Sequence, residues 1–173
     1  MNLSIAQEAK QILDDNLYMT ISVADKDGNP WIANLYFAYD GDLNLYWYSS
    51  KETKHSQLIS QNPSIAIAIF DSTAVGDDVN AVYFEATAEE VRGEEALEKG
   101  LTVFAQKMLE TNFIPDKESA DTFIKDKGDF TGDTVLRLYQ AVPQKAYTLI
   151  DPDVVNEKYI DRRIEISLDD LKN

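Results

Sequence analysis

The residues best suited to chemistry lie together in segment 46–58, YWYSSKETKHSQL. It contains Lys51, Lys54 and His55, the single histidine of the chain, among several hydroxyl side chains. An aromatic strand pattern ends here where a helical pattern starts, and the first amides of a helix attract anions. The residues alone leave two interpretations open: a phosphate-binding site, or a solvated helix start with ordinary capping by Thr53.

Other chemistries are disfavoured by the same sequence. The chain has no cysteine, which excludes disulfides, thiolate zinc sites and cysteine nucleophiles. With one histidine and carboxylates at no recognisable ligand spacing, no metal site is predicted. A serine triad would need His55 beside Ser49, Ser50 or Ser56, yet no nucleophile elbow surrounds any of these serines.

One calcium-like motif is also present near the N-terminus. Asp25, Asp27 and Asn29 match the start of an EF-hand loop. Such a loop needs glycine where this chain has Pro30 and a bidentate glutamate where it has Tyr36. We therefore predict a plain hairpin turn here, because glycine and asparagine tolerate the backbone angles of tight turns.

The composition bounds the class of protein. At 173 residues with 44% apolar content, the chain is predicted to form a single domain over residues 1–173, with no repeat or linker dividing it. Its formal net charge of −15 disfavours nucleic acid and anionic membrane surfaces as partners. No apolar run reaches the length of a signal-sequence core or a membrane span, so a cytoplasmic location is expected.

The hydrophobic pattern predicts more strands than helices. Strand-like apolar patterns occur at 17–24, 31–39, 43–49, 64–70, 81–91, 134–142 and 145–150. Helical spacing occurs at 3–15, 53–61 and 94–110, with a shorter stretch near 120–126. That last stretch belongs to segment 111–132, whose length indicates an excursion over a site. Six or more antiparallel strands with two or three helices predict an α+β barrel.

The order of these segments resembles that of the pyridoxamine 5′-phosphate oxidase-like family of FMN-binding split barrels. The matching motifs, in chain order, are DGNP at 27–30, NLYF at 34–37, LYWYSS at 45–50, TKHSQL at 53–58, NP at 62–63, IAIAIFDS at 65–72, VYFEATA at 82–88 and DRR at 161–163. Each motif is degenerate, whereas their order and spacing over residues 8–165 is the stronger signal. The resemblance implies an antiparallel six-stranded split β-barrel with flanking helices.

The same resemblance implies a site for FMN and a homodimer that completes it. Residues expected to line the isoalloxazine ring are Asn34, Leu35, Tyr36 and Phe37, with Tyr48, Ser49 and Ser50 beside them. Residues expected to hold the phosphate are Thr53, Lys54, His55 and Ser56. The second subunit is expected to contribute Tyr147 and Arg162 at the subunit interface.

The aromatic content also favours a two-fold partner. Trp31, Tyr46, Tyr48 and Tyr83 are more large aromatic side chains than one small core is expected to cover. A second copy, related by two-fold symmetry, is the simplest way to cover them. We therefore predict a homodimer.

Departures from the family pattern limit the function that can be inferred. True oxidases carry a Trp-Gln-Gly segment and an Arg-x-His-Asp-Arg motif that holds pyridoxal phosphate, whereas residues 158–162 here keep only Asp161 and Arg162. Ala81 also replaces a glutamine that contacts the ring. We therefore expect an FMN-dependent oxidoreductase with a small-molecule substrate or electron donor that the sequence does not identify. The alternative is a non-catalytic module that binds flavin, deazaflavin or haem.

Overall fold

A computed structural model describes residues 3–75 and 80–172 of the chain. Its strands are β1 (Tyr18–Ala24), β2 (Pro30–Tyr36), β3 (Ala38–Tyr39), β4 (Leu45–Ser50), β5 (Ser64–Phe70), β6 (Ala81–Glu90), β7 (Leu136–Val155) and β8 (Lys158–Ile166). Its α-helices are α1 (Ile5–Asp15), α2 (Lys54–Gln61), α3 (Glu94–Glu110), α4 (Lys117–Lys125) and α5 (Leu168–Leu171), with a short 3₁₀ helix at Lys127–Phe130. Within these residues no helix is long and apolar enough to cross a membrane.

The strands form an antiparallel split barrel, as predicted. The order across the sheet is β2-β1-β5-β6-β7-β4-β3, and β8 pairs with β7 outside this path. Only Phe37 separates β2 from β3, so the two are halves of one strand that pairs first with β1 and then with β4. The sheet therefore closes on itself. With β2 and β3 counted as one strand, the barrel has the six strands predicted, and β8 is an addition.

The core has an inner and an outer layer. The inner layer fills the barrel with side chains such as Ile21, Trp47 and Phe84. The outer layer lies between α3 and the outer face of β3, β4 and β7, where Tyr46 and Leu138 meet the helix. Leu97, Leu101, Phe104 and Met108, the apolar stripe predicted for this helix, are all buried there. The helix thus covers one half of the barrel's outer surface.

The predicted pair of strands at 134–142 and 145–150 is wrong. The structure has one strand, β7, which continues through Pro143 and extends to Val155. The register against β6 shifts between Glu85 and Ala86, which pair with Lys145 and Pro143. This bulge accommodates a proline that has no amide hydrogen for the ladder.

The aromatic residues that favoured a homodimer have neighbours within the chain, although Trp31 remains 42% exposed, and the homodimer stays a prediction. Tyr46 is buried under α3, and Tyr48 packs edge-on against Phe104 of the same helix. The amine of Lys54 lies 4.4 Å from the Trp31 ring centroid, and the guanidinium of Arg163 lies 3.8 Å from that of Tyr83. All four aromatic rings therefore have neighbours within the chain.

Gly100 lies where α3 crosses the sheet, and a Cβ atom there would sit 2.6 Å from Leu138 Cδ2 and 3.0 Å from the Tyr46 ring. We expect Gly100→Val to lower the free energy of unfolding by about 1–3 kcal/mol, because the helix must move away from the sheet. Urea denaturation measures this change. Gly128→Val is the control, since nothing lies within 4 Å of a Cβ built at that glycine. Equal losses in the two variants would contradict this packing.

Candidate functional site

The turn from β4 into α2 brings four polar side chains together. Thr53 Oγ1 lies 2.9 Å from Ser56 Oγ and 3.1 Å from His55 Nε2. His55 Nε2 also lies 2.9 Å from Ser49 Oγ. We call Ser49, Thr53, His55 and Ser56 the hydroxyl cluster. The structure thus brings together most of the residues predicted to hold a phosphate.

Local backbone geometry explains why this sequence forms the cluster. Thr53 caps α2 as predicted, with extended backbone angles and a side chain that accepts a hydrogen bond from the Ser56 amide. The Ser50 carbonyl accepts from the Thr53 amide at 3.1 Å and from its hydroxyl at 2.9 Å, which fixes the turn before the helix. The cluster therefore lies at the positive end of the α2 dipole.

Burial sets the charge of the cluster. His55 and Ser56 are 9% and 3% exposed. Burial lowers the pKa of His55 below its ordinary value, so the ring is neutral near neutral pH. Nearby, the Tyr139 ring stacks on Trp47 at 5.6 Å between centroids, and burial raises the pKa of its phenol, with an opposing contribution from the Ser56 hydroxyl. The cluster is consequently a neutral, donor-rich surface at one end of the barrel interior.

Lys54, the first residue of α2, is the positively charged residue among those predicted to hold the phosphate. Its amine lies over the Trp31 ring, which is 42% exposed. The adjoining hairpin turn is held by Asp25, whose carboxylate accepts from the Asn29 side chain and backbone at 2.9 Å. These hydrogen bonds from Asn29 lower the pKa of Asp25, with a smaller contribution from Lys54. The residues of the calcium-like motif thus form the predicted turn.

The residues predicted to line the ring divide between two faces of their strand. Asn34 is exposed and accepts from Thr20 Oγ1 at 2.7 Å, and the Tyr36 hydroxyl lies 2.7 Å from Thr111 Oγ1. Leu35 packs against the inner core and Phe37 is fully buried in it. Side chains alternate along a strand, so only Asn34 and Tyr36 present theirs to a ligand outside the barrel.

Segment 111–132, predicted to pass over a site, does lie next to two predicted ring residues. Tyr48 meets Phe123 and Phe130 of this segment at 6.1 and 5.8 Å between ring centroids. Tyr36 meets Phe113 at 5.2 Å. The segment therefore forms an aromatic wall against the outer face of β2 and β4.

Tyr147 and Arg162 do not join the cluster within one chain. The Tyr147 hydroxyl donates to Glu85 Oε1 at 2.9 Å, and Arg162 pairs with Asp153 Oδ1 at 2.9 Å. Both belong to the half of β7 and β8 that lies beyond the bulge, whereas Ser49 pairs with Arg137 near the start of β7. Any contribution of these two residues to the cluster has to come from a second copy of the chain.

Sequence reasoning missed Arg137. Its guanidinium is buried and pairs through Nε with Glu90 Oε1 at 3.1 Å. The signal was present in the sequence, because Leu136 and Leu138 face α3 and the arginine between them must point to the opposite side of the strand. A charge at such a position needs partners, which makes it a candidate for a structural or functional role.

The donor set fits a phosphate monoester. Hydroxyl groups, an imidazole and the helix amides can donate hydrogen bonds, and Lys54, the first residue of α2, carries a positive charge. The hydrogen bonds within the cluster would be exchanged for bonds to phosphate oxygens. The residues present therefore fit the phosphate end of FMN.

Comparison with known proteins agrees with the fold and identifies the family. The architecture is that of a split-barrel protein, and the profile of the family described as pyridoxamine 5′-phosphate oxidase matches residues 5–157. The chain belongs to this family. A comparison with curated proteins finds no match.

Solved structures share the fold at low sequence identity. A conserved hypothetical protein from Mycobacterium tuberculosis is 15% identical with a TM-score of 0.64, and 84% of each chain is covered. A haem-binding protein from Mycobacterium smegmatis is 16% identical with a TM-score of 0.67, covering 99% of this chain and 61% of that one. A haem storage protein from Vibrio cholerae is 16% identical with a TM-score of 0.61, covering 82% and 92%. At these identities the similarity establishes the fold.

The lowered pKa of His55 makes stability depend on pH. The unfolded state takes up a proton near pH 6.5 and the folded state only at lower pH, so stability is retained above about 6.5 and lost as the pH falls toward the lowered pKa. We expect His55→Gln, which retains a nitrogen donor, to remove this part of the slope. Unfolding free energies measured from about pH 7.5 to 5 test it. Identical slopes in the two proteins would contradict the assignment.

Proposed function

We propose that this chain binds FMN, with the phosphate on the hydroxyl cluster and Lys54. The observation that carries the proposal is that Thr53 Oγ1 and Ser49 Oγ both lie within 3.1 Å of His55 Nε2 at the N-terminus of α2. The cluster donates hydrogen bonds, the helix end supplies positive potential, and Lys54 supplies one positive charge toward a dianion.

The isoalloxazine ring is proposed to lie on the outer face of β2, beside the aromatic wall. Asn34 offers an exposed amide for ring heteroatoms, and Tyr36 and Tyr48 offer aromatic edges. Because α3 and segment 111–132 pack on both tyrosines, their orientation is fixed before a ligand arrives. Fixed side chains reduce the entropy cost of binding.

A second copy of the chain is proposed to cover this face. The outward side chains of β1, β2 and β5 are Tyr18, Thr20, Ser22, Ile32, Asn34, Tyr36, Ala66, Ala68 and Phe70. None of these is charged, although 27% of the chain is. Ile32 is 65% exposed, Tyr18 56% and Phe70 47%. Depletion of charge around exposed apolar groups is typical of the centre of a protein interface.

The strand register supports a two-fold arrangement. Asn34, Thr20, Ala68, Tyr83 and Tyr147 are successive cross-strand neighbours and form one row. Strands are about 4.8 Å apart, so the path along the sheet from Asn34 to Tyr147 is about 19 Å, and the direct distance is shorter because the barrel closes. A two-fold axis parallel to the strands near the middle of the row would bring the partner's Tyr147 toward Asn34. The proposed contribution of Tyr147 rests on this geometry, whereas that of Arg162, which lies on β8 opposite Ile150, rests on the family resemblance.

The proposed activity is that of a flavin-dependent oxidoreductase in the cytoplasm. Bound FMN supplies hydride and electron transfer, while the chain binds, orients and shields it. We assign no residue as a general acid or base. Because the pyridoxal phosphate motif is reduced to Asp161 and Arg162, and Arg162 pairs with Asp153, pyridoxamine phosphate is not the proposed substrate.

Haem is the second candidate ligand, since two solved structures of this fold are named for haem binding or storage. The sequence makes haem the less favoured of the two. The chain has no cysteine, and its one histidine, His55, is buried with Nε2 bonded to Ser49 and Thr53. Of the axial ligands that haem iron takes, cysteine is therefore absent and the one histidine is engaged.

Titration of the purified protein with FMN, riboflavin and haemin tests these proposals together. The proposal expects FMN to bind with perturbed flavin absorption bands and more tightly than riboflavin, because riboflavin lacks the phosphate. Bleaching of the bands by NADH or NADPH would support a reductase. A protein that binds haemin but not FMN would overturn the proposal in favour of haem.

Lys54→Glu replaces an attractive contact with a phosphate by a repulsive one. We expect FMN binding to weaken by at least about 2 kcal/mol, with riboflavin binding nearly unchanged. Fluorescence titration of both ligands measures the difference. Lys117→Glu makes the same charge change at a side chain that is 80% exposed on α4, and should leave both affinities unchanged. Equal weakening of both ligands by Lys54→Glu would contradict the phosphate position.

Ala66→Glu places a charge at the centre of the uncharged outer face. We expect this variant to be monomeric and to bind FMN weakly, because burying an unpaired carboxylate opposes association. Ala96→Glu, at an exposed position of α3, is the matched control and should remain dimeric. Sedimentation at micromolar concentration distinguishes the states. A wild-type monomer of 19.5 kDa that binds FMN tightly would refute the interfacial site.

A further inference from the structure

The buried guanidinium of Arg137 has a polar contact at each of its three nitrogen atoms. Its Nη1 donates to the Thr134 carbonyl at 2.9 Å and to the Leu136 carbonyl, and its Nη2 donates to the Gly132 carbonyl at 2.6 Å. Its Nε pairs with Glu90. The planar fork of one guanidinium thereby holds three carbonyls of the loop that joins the 3₁₀ helix to β7.

That loop contacts the turn of the hydroxyl cluster. The carbonyl of Val135, inside the segment held by Arg137, accepts a hydrogen bond from the Lys51 amide at 2.8 Å. Lys51 follows directly on Ser50, whose carbonyl fixes Thr53. Hydrogen bonds on neighbouring residues, joined by short stretches of backbone, therefore connect the guanidinium to the cap of α2.

The same loop continues from the aromatic wall. Phe130, which meets Tyr48 at 5.8 Å, precedes Gly132 by two positions, and Gly132 has a positive φ of 59°. Glycine adopts this angle without strain, so the chain can turn sharply from the wall to the guanidinium. The guanidinium therefore holds the loop downstream of the aromatic wall, while the Phe130 ring itself is held by Tyr48 and Phe123.

We propose that Arg137 is a positioning residue for the phosphate end of the site. It acts by holding loop 131–136 against Lys51, so that the turn and the hydroxyl cluster keep their arrangement before FMN binds. The inference rests on the proposed FMN site, and goes beyond it because Arg137 touches none of the proposed phosphate ligands by hydrogen bond. Its carbonyl contacts, rather than its charge alone, carry the role, since Glu90 offsets that charge at 3.1 Å.

Arg137→Met tests the role, with Arg92→Met as a matched control. Arg92 approaches the same Glu90 at 3.9 Å but its side chain is 82% exposed and holds no loop carbonyl in the contacts described. For Arg137→Met we expect FMN affinity to fall about ten- to hundredfold while riboflavin affinity stays within about twofold, because only the phosphate end is disturbed. Arg92→Met should change neither affinity.

A second readout separates positioning from a general loss of structure. Arg137→Met should speed hydrogen exchange at the Lys51 amide relative to the wild type. Exchange at the amides of β5, which lie remote from the loop, should stay unchanged. Arg137→Lys keeps the charge without the fork, so it should weaken FMN nearly as much. The Arg137→Lys variant also tests the role if Arg137→Met does not fold. Equal weakening of FMN and riboflavin, or full FMN affinity in Arg137→Lys, would overturn the proposal.

The effect of charge is measured by Glu90→Gln combined with Arg137→Met. Removing both charges leaves no unpaired carboxylate, so an FMN affinity still weakened in the double variant supports positioning by the carbonyl contacts. Restored affinity would overturn the proposal in favour of simple repulsion by Glu90. If the wild type binds no FMN, the proposed function fails, while exchange at the Lys51 amide still reports whether Arg137 holds the turn.

Discussion

The fold depends on one strand that pairs with two different neighbours. Between Pro30 and Tyr39 the chain pairs with β1, bends at Phe37, and then pairs with β4. The amide of Phe37 donates to the Leu17 carbonyl at 3.2 Å, and its side chain is fully buried, so the bend is fixed from both sides. Without it the sheet would stay open at both edges, with unpaired backbone groups on β2 and β3. The bend also divides the outer surface into a half covered by α3 and a half left uncovered.

The candidate site lies at the boundary between the half of the outer surface that α3 covers and the half that is left uncovered. On the covered half, Tyr48 is held by the aromatic wall, and on the uncovered half Asn34 is exposed. Tyr36 lies between the two, with its hydroxyl on Thr111 and its ring near Phe104. A ring placed here would have a rigid wall on one side and an open side for a substrate or a second subunit. Such a combination of fixed and accessible surface suits a cofactor that must react with other molecules.

The sequence predicted the elements whose signals are local. Thr53 caps α2 because its hydroxyl satisfies an amide three residues later, and the stripe on α3 is buried because apolar residues recur at helical spacing. These signals lie within one turn or one helix. The family motifs could therefore be aligned, and the residues around Thr53 were brought together as expected.

Features that depend on register or on distant segments were not predicted. The continuity of β7 through Pro143 depends on a bulge opposite Glu85 and Ala86, which a single strand pattern does not reveal. The aromatic neighbours of Tyr46 and Tyr48 come from α3 and segment 111–132, far along the chain, so a partner subunit was invoked for cover that the chain itself provides. The partners of Arg137 are mostly carbonyls, which carry no sequence signature at all.

Net charge gives the last constraint on how a second subunit can dock. Two copies that each carry a charge of −15 repel one another, and this repulsion is weakest where a face without charges meets its own copy. The outer face of β1, β2 and β5 carries no charged side chain, and it contains Asn34 and Tyr36 at the proposed ring position. The proposed two-fold axis brings it opposite β6 and β7, where Glu85 and Lys145 lie 3.9 Å apart and offset each other's charge. A bound dianion would add to the negative charge, so its compensation has to be local, which is what Lys54 and the end of α2 provide. The proposed association through the uncharged face and the proposed compensation at the hydroxyl cluster are therefore separate requirements, and they fall on different residues of the same barrel.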